Sequence, residues 1–555
     1  MSEISELNRP MSAATRRQIL GGVAIAAVGL TTARVNTAHA GQAPAVTGGA
    51  PASIALQSRH GGGIDRTTIQ RWARDTWASL VAMTDRHTGL PADNISGSLA
   101  RPQRSGYTSP TNIGGYMWST VIARELGIIS PGECHQRLAQ TLKTMSRLKH
   151  HEPSGMFYNW YDEATGDVIH VWPADGSTIY PFLSSVDNGW FAASLMVVRN
   201  AEPRVAKLAN ALLDKMNFGM YYNKDARPGI GGLLRGGFWD VQPQSPRQFV
   251  AGNYLGNGPD VFYTTNHYDI HVSEPRIATY IGIAHGQIPP AAYYATQRTF
   301  PNTCDWSWIE QKAVGQHRTY YGIDVFEGAF TYRGMHIVPS WGGDMFEALM
   351  PDLFVPEASW APRAWGINHA LTVRAQREFG LDDAKYGYWG FSPASRPGGG
   401  YTAWGVDAIG MDPGGDGVKK NEGGYVSDME GTNYDGGFEG CRVGTNPTPA
   451  WGDGVVTPHA AFLAMQYEPA QAYDNLVKIE RVLRAYGEGG FYDAVAVKSG
   501  LIAKRYLSLD QAMVLGAIGN VFCDNVIRRN FIKGEVQSTI KPLIGIEEFG
   551  AGVIA

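Results

Sequence analysis

Amphipathic segments with apolar residues at helical spacing follow one another from Gly63 to the end of the chain, and no linker-like stretch divides them. The first, RTTIQRWARDTWASLVAMTD, places Ile69, Trp72, Trp77, Leu80 and Val81 on one stripe. NIGGYMWSTVIAREL, HQRLAQTLKTMSRL, DNGWFAASLMVVRNA, RVAKLANALLDKM, SEPRIATYIGIAHG, GGDMFEALMPDLF, PRAWGINHALTVRAQREFG, TPHAAFLAMQYEP, AQAYDNLVKIERVLRAYG and LDQAMVLGAIGNVFCDNVIRRNF continue the series. The periodicity predicts about eleven to twelve helices. Between them lie short aromatic, Gly-rich pieces such as GMFYNWYDEATGDVIHVW, GGLLRGGFWDV, GAFTYRGMHIVPSW and GGFYDAVAV, which read as hairpins or loops. No strand–helix alternation supports a doubly wound sheet. The simplest account is one all-α domain over residues 64–555. About a dozen helices joined by long loops are what a double ring of six helix pairs requires, with a cleft at the rim where the inner helices start.

Composition narrows the function classes. The chain has 555 residues, 44% of them hydrophobic and 18% charged, which suits a large packed core rather than disorder. A net charge of −4 with no long Lys/Arg run excludes nucleic acid as the expected partner. Fifteen Trp, 26 Tyr and 68 Gly are compatible with aromatic-lined loops for flat sugar faces, and equally with an ordinary large core.

The N-terminus reads as an address. TRRQILGGVAIAAVGL sets Arg16 and Arg17 before a short apolar run, and AHA at Ala38 to Ala40 offers the small residues a signal peptidase accepts. The segment resembles a twin-arginine export signal over residues 1–40, and an Ala/Gly/Pro/Ser-rich leader follows over 41–63. The apolar run is too short for a spanning helix, which needs roughly 20 residues. The expected partners of this segment are the Tat export machinery and signal peptidase. The processed protein is expected to be periplasmic or secreted, without a stable membrane anchor.

Cys134, Cys304, Cys441 and Cys523 are far apart and form no CxxC pair, so a Cys-based zinc site is not expected. Up to two disulfides and four thiols both fit the spacing. The Gly-rich run GMDPGGDGVKKNEGGYVSDMEGTNYDGG has acids enough for calcium but lacks the EF-hand spacing. No GxSxG, HExxH or GxxxxGK[ST] element occurs, and no metal or cofactor is expected.

Three acids share one local arrangement. Asp187 precedes Trp190, Phe191 and Leu195; Glu274 precedes Ile277 and Ile281; Glu347 precedes Leu349, Met350 and Leu353. Each lies in or just before the first turns of an apolar helix. An Asp or Glu there stabilises a helix by roughly 0.3 to 2 kcal/mol with no further role. In a helical double ring the same acids could converge on one cleft. Glycoside hydrolysis needs such a set, one carboxylic acid to protonate the leaving oxygen and a second carboxylate to activate water or attack the sugar. Trp160, Trp190, Trp239, Trp341 and Trp389 stand beside Gly or polar residues and are candidates to stack on sugar rings or to close the edge of the core.

An ordered series of words resembles the glucoamylase-like domains that act on β-1,2-glucans, namely the β-1,2-glucanase glycoside hydrolases and the cyclisation domain of cyclic β-1,2-glucan synthases. The words are TSPTNIGGYMWSTVIARELGIIS, GMFYNWYDEATG, SSVDNGW, HYDIHVSEPRIATYIGIAHGQIP, SWGGDMFEALMP, WGFSPAS, YTAWGVDAIGM, VVTPHAAFLAM, GFYDAV and YLSLDQAMVLGAIGN. The resemblance implies an (α/α)6 barrel. It implies that Glu274 of SEPRIA protonates the glycosidic oxygen and that Asp187 of VDNGW belongs to the substrate site. Glu347 matches an acid of the MFE word. Tyr158 and Asp269, in two of these words, join Trp160, Trp190, Trp341 and Trp389 as candidates to bind a polysaccharide or oligosaccharide substrate. The cyclisation domains carry a nucleophilic Glu after Trp-Gly-Ile-Ser, where this chain reads Trp389-Gly390-Phe391-Ser392-Pro393. Proline has no carboxylate, so a water-activating, inverting hydrolase is expected, with Asp187 as first choice of base and Glu347 as second. Two alternatives stand beside it. One is a polysaccharide lyase, with His267, Tyr268 or His271 as base. The other is an inactive glycan-binding or assembly protein, suggested by Pro393.

Overall fold

Ser109 and Ser130 each stop a loop and start a helix: their hydroxyls accept the N–H groups of Asn112 and Glu133, and Pro110 and Pro131 supply a preset φ at the first helical position. Signals of this kind recur along a computed structural model that describes residues 63–244, 248–300, 311–411, 437–438, 442–443 and 451–554. The expected signal and leader, Cys304, Cys441 and most of the Gly-rich run lie outside the described residues.

The described helices are α1 (Arg66–Met83), α2 (Pro110–Glu125), α3 (Pro131–Met145), α4 (Ser185–Ala201), α5 (Ala206–Leu213), α6 (Arg276–Ala284), α7 (Ala292–Ala295), α8 (Met345–Leu349), α9 (Glu357–Trp360), α10 (Trp365–Glu378), α11 (Pro458–Ala464), α12 (Pro469–Arg481), α13 (Ser508–Phe522), α14 (Val526–Phe531) and α15 (Glu535–Ile544). Every helix expected from periodicity is present. The long C-terminal one is split, because Asp524 and Asn525 take left-handed backbone angles and turn α13 into α14. Three were not anticipated. α7 and α9 have four residues each, too short to show a period, and α15 carries Pro542, which reads as a breaker.

Six helices pack in cyclic order. α2 lies against α4 and α13, α4 against α6, α8 against α11, and α11 against α13. α6 meets α8 through Arg276, whose guanidinium donates to the carbonyls of Glu347 and Ala348 at 2.7 and 2.6 Å. Close approach in this set depends on absent side chains. A Cβ at Gly115 would stand 2.9 Å from Ala512 Cβ, and one at Gly189 2.9 Å from Ala278 Cβ. α1, α3, α5, α10, α12, α14 and α15 pack around these six, and one main core runs from Ile69 to Phe549. Trp72, Trp118, Trp190 and Trp365 are fully buried in it, which accounts for part of the high tryptophan content.

The fold is helical, and the strands lie in pieces expected as hairpins or loops, although some join into three- and four-stranded sheets rather than isolated hairpins. The Gly-rich pieces form many short strands, mostly antiparallel. Met156–Phe157 pairs with His150–His151, and Ile323–Tyr332 pairs with both Val314–Tyr320 and Met335–Ile337. Ala494–Ala496 pairs with Val455–Val456 and Ile502–Ala503. Leu183–Ser184, Gly237–Trp239, Asp260–Tyr263 and Val250–Asn253 make a four-stranded sheet. Several strands run directly into the first turn of a helix of the cyclic set, as Leu183–Ser184 does into α4 and Arg505–Leu507 into α13. That junction positions the site.

Cys134 and Cys523 are free thiols. Among the described residues no helix is long and apolar enough to cross a membrane.

Candidate active site

The starts of the cyclic helices share one chemical habit. Asp187 is the third residue of α4, its N–H donating to the Ser184 hydroxyl at 3.1 Å. Glu347 is the third residue of α8, its N–H donating to Asp344 Oδ1 at 2.8 Å. Asp510 is the third residue of α13, and Asn112 the third of α2. In α2, α4 and α8 a side-chain cap on the first turn fixes the direction of the residue three positions on, whereas α13 follows Leu507 without one. All four of these residues line one cavity of about 140 Å³. Glu274 joins them from just outside α6, which begins at Arg276, so it is not a residue of the helical face that the spacing suggested.

Glu274 is 4% exposed and tightly held. The indole N–H of Trp190 donates to its Oε2 at 2.7 Å, and its own backbone N–H donates to Glu347 Oε2 at 2.6 Å. The same Glu347 oxygen accepts from Ser273 Oγ at 2.7 Å. Beneath them, Arg276 forks onto Glu357 at 2.7 and 2.9 Å and reaches the carbonyl of Ser273 at 3.0 Å. It also lies over the Trp365 ring at 4.6 Å, and Tyr280 and His369 complete the shell of Glu357. One buried guanidinium thus ties the chain entering α6 to the backbone of α8, which fixes Glu274 relative to Glu347.

The electrostatics of the pocket are set by crowded acids. Burial pushes the Asp187 carboxyl above its ordinary value of 3.8, against the hydrogen bonds of Thr111, Ser184 and Ser109. The Thr111 bond to Asp187 Oδ1 is 2.7 Å. Asp344 is raised well above the usual range, first by burial and then by the charges of Glu347 and Glu274. Helix N-termini favour the charged form, and here burial outweighs them.

The expected substrate residues divide. Trp160 lines the cavity, braced edge-on by Tyr107 at 5.3 Å. Trp190 is fully buried, so its ring face is not available for stacking and its polar edge serves Glu274. Tyr158, Asp269, Trp341 and Trp389 do not line the cavity. The Tyr158 hydroxyl donates to Asp240 at 2.5 Å. Trp341 packs with Ile270, Phe300, Phe330 and Met411. Trp389 is buried, its backbone bracketed by Asn475, and Trp239 packs on Phe182. Asp269 is half-buried, and its carbonyl accepts the Gln297 N–H at 2.6 Å.

His267, Tyr268 and His271 also lie outside the cavity lining. His267 pairs with Asn223 at 2.9 Å. His271 is buried beside Trp365 with its Nδ1 2.7 Å from Thr296 Oγ1; burial and then Arg298 lower it to about 4. Sequence reasoning missed Asp93, Tyr107, Tyr401 and Asp510 in the lining. Asp510 carried the same signal as Asp187, an acid in the first turn of an apolar segment. Pro393 lines the cavity as well.

Residues 316–535 match the Glycoamylase family model, described as "Putative glucoamylase", and residues 71–226 match a second one described as a protein of unknown function, DUF3131. The cyclic β-(1,2)-glucan synthase NdvB of Rhizobium meliloti is 24% identical over 551 residues, covering 83% of this chain; the match spans 18% of that protein's length. The endo-β-1,2-glucanase of Chitinophaga pinensis, solved with sophorotriose and glucose, superposes with a TM-score of 0.57 at 16% identity, covering 87% of this chain and 98% of that one. That of Talaromyces funiculosus with sophorose gives 0.56 at 11% identity, covering 86% and 90%. The resemblance to glucoamylase-like proteins is therefore present in sequence, and these two structures share the fold.

Proposed function

We propose that this relative of the glucoamylase-like proteins is an exported glycoside hydrolase that cleaves a β-glucan of the β-1,2-linked class with inversion at the anomeric carbon. The barrel reading follows from the cyclic order of α2, α4, α6, α8, α11 and α13, which are the inner ring of an (α/α)6 toroid. Export rests on the twin-arginine segment and the AHA site, and gives a periplasmic or secreted enzyme.

The observation that carries the proposal is the meeting of Asp187, Glu274 and Glu347, from three separate segments, around one cavity that Trp160 and Tyr401 also line. Glu274 is the general acid. An indole N–H can only donate, so Trp190 keeps Oε2 as an acceptor and the transferable proton is carried on Oε1. Asp187 takes the proton of the attacking water, directly or through a sugar hydroxyl. Burial favours a base poised above the ordinary Asp range, and general acid–base catalysis is most effective near the working pH. Glu347 positions Glu274 through the 2.6 Å bond to its backbone, and it is the second choice for base.

The similarity to NdvB favours a second reading, glycosyl transfer through a covalent intermediate. It needs a nucleophilic carboxylate. At the position where the cyclisation domains have one, this cavity has Pro393, and hydrolysis fits better.

The test is a screen of purified processed protein against β-glucans, mannans, arabinans and galactans, with the first-formed anomer read by NMR. The expected result is new reducing ends from a β-1,2-glucan with inverted configuration. Absence of turnover on every β-glucan, or ultraviolet-absorbing unsaturated products, would sink the reading.

A further inference from the structure

Opposite in chemistry to the Arg276 cluster is a second knot of buried acids. Asp493 sits in the turn between the strands Gly490–Phe491 and Ala494–Ala496, Asp510 in the first turn of α13 and His459 in the first turn of α11. The three are 2%, 4% and 2% exposed. One ligand atom from each lies within 4.8 Å of the others, and His459 Nδ1 is 3.5 Å from Asp510 Oδ2.

The triad Asp352, Glu357 and His369 is equally close-knit. Its charge is answered by arginines: Arg276 forks onto Glu357, and Arg528 donates to Asp352 at 2.6 Å. Around Asp493 and Asp510 no Lys or Arg forms an ion pair among the described residues, and burial, then the Asp493 carboxyl and last that of Asp93 disfavour the charged form of Asp510. Asp493 Oδ2 accepts the Ser395 N–H at 2.7 Å. Among the described residues Asp493 Oδ1 and Asp510 Oδ2 are buried without a hydrogen-bond partner, and Nδ1 is the ring nitrogen of His459 that faces Asp510. Buried carboxylate acceptors left in this state are costly unless something binds them.

We propose that His459, Asp493 and Asp510 hold one divalent transition-metal ion of the zinc or manganese class in the wall of the cavity. Two carboxylate oxygens and one imidazole nitrogen are a donor set such ions accept. Bonds of about 2.0 to 2.2 Å in a tetrahedron put ligand atoms about 3.3 to 3.6 Å apart, the spacing of the His459–Asp510 pair. Three protein ligands leave a coordination position open, and Asp510 itself lines the cavity, which supplies an entry path. The open position would take water or a sugar hydroxyl. The ligands stand far apart in sequence, at 459, 493 and 510, so no spacing motif announced them.

The test uses the whole purified protein, stripped with chelator and titrated with zinc or manganese by calorimetry, and with cobalt for its visible spectrum. One ion per chain, a thermal midpoint that rises with the free ion, and a cobalt spectrum of a low-coordinate site are expected. Asp510→Asn and His459→Ala should each weaken binding at least tenfold. No binding by the wild-type chain at millimolar metal overturns the proposal even if a variant fails to fold. Equal binding by both folded variants also overturns it. A third result against it is an Asp510→Asn chain more stable than the stripped wild type while the wild type takes up no ion, since the two aspartates would then share a proton instead.

Discussion

The indole nitrogen of Trp190, three residues beyond Asp187 on α4, donates a 2.7 Å hydrogen bond to Glu274 Oε2. One helix thus presents the proposed base at its third residue and orients the proposed acid from its sixth. The two roles are coupled through a rigid element rather than through a loop.

Glu274→Gln should lower turnover by roughly 10² to 10⁴, the usual contribution of a general acid, with the melting temperature little changed. The glutamine can still accept from Trp190. Kinetics on the β-glucan identified by the screen, with circular dichroism for fold, decide this; wild-type turnover in the variant would refute the assignment.

Trp190→Phe keeps most of the buried ring and removes the donor. Charge develops on Glu274 only as it gives up its proton, and loss of a hydrogen bond to that developing carboxylate costs the transition state about 1.5 to 3 kcal/mol. The fall should appear in kcat, because the ring is fully buried and makes no sugar contact. A rise in KM alone would mean that the residue binds substrate.

Asp187→Asn separates catalysis from helix capping. The folded-state pKa is raised, so the folded protein binds the proton more tightly and stability falls as pH rises from 3.8 through the shifted value. Removing that charge should raise stability at neutral pH while abolishing activity. A merely structural cap would give lower stability instead. In the wild type the acid limb of kcat/KM should lie above the ordinary Asp range.

The buried ion pair beneath the site predicts acid sensitivity. Glu357 and Glu547 are lowered from 4.5 to about 2, in the face of burial, by Arg276 and by Arg298 respectively. Their contribution is full above pH 4.5 and is lost as the pH falls toward 2. Arg276→Met should cost about 3 to 5 kcal/mol by stranding Glu357, read by denaturant unfolding at pH 7. Equal stability in the variant would show that the fork is not structural.

Pro393→Glu returns a carboxylate to the cavity wall. If hydrolysis here proceeds by inversion for want of that group, the variant should form some product with retained configuration, or transfer products, detectable by NMR and mass spectrometry. Purely inverted product at unchanged rate would remove Pro393 from the explanation.

The helices were legible in the sequence because burial of one face imposes a period that residues 66–83 or 469–481 display locally. The sequence also set the acids at helix starts, but the caps themselves are Ser184 and Asp344, which act on the N–H groups of Asp187 and Glu347 three residues away. Those local rules located Asp187 and Glu347, and the resemblance singled out Glu274. Stacking surfaces were not legible: a Trp beside a glycine or polar residue has the same sequence signature whether it lines a cavity, as Trp160 does, or is buried with its edge turned to an acid, as Trp190 is. Exposure is a property of the neighbours, and these come from other segments. The same holds for electrostatics. Sequence counts Asp93, Asp493 and Asp510 as three charges among 51 acids; only packing decides that Asp493 and Asp510 are buried together with Asp93 nearby, while Glu357 is given to Arg276. Periodicity and capping act over a few residues and are written in the chain. Convergence, desolvation and charge pairing act across hundreds, and tertiary structure alone decides them.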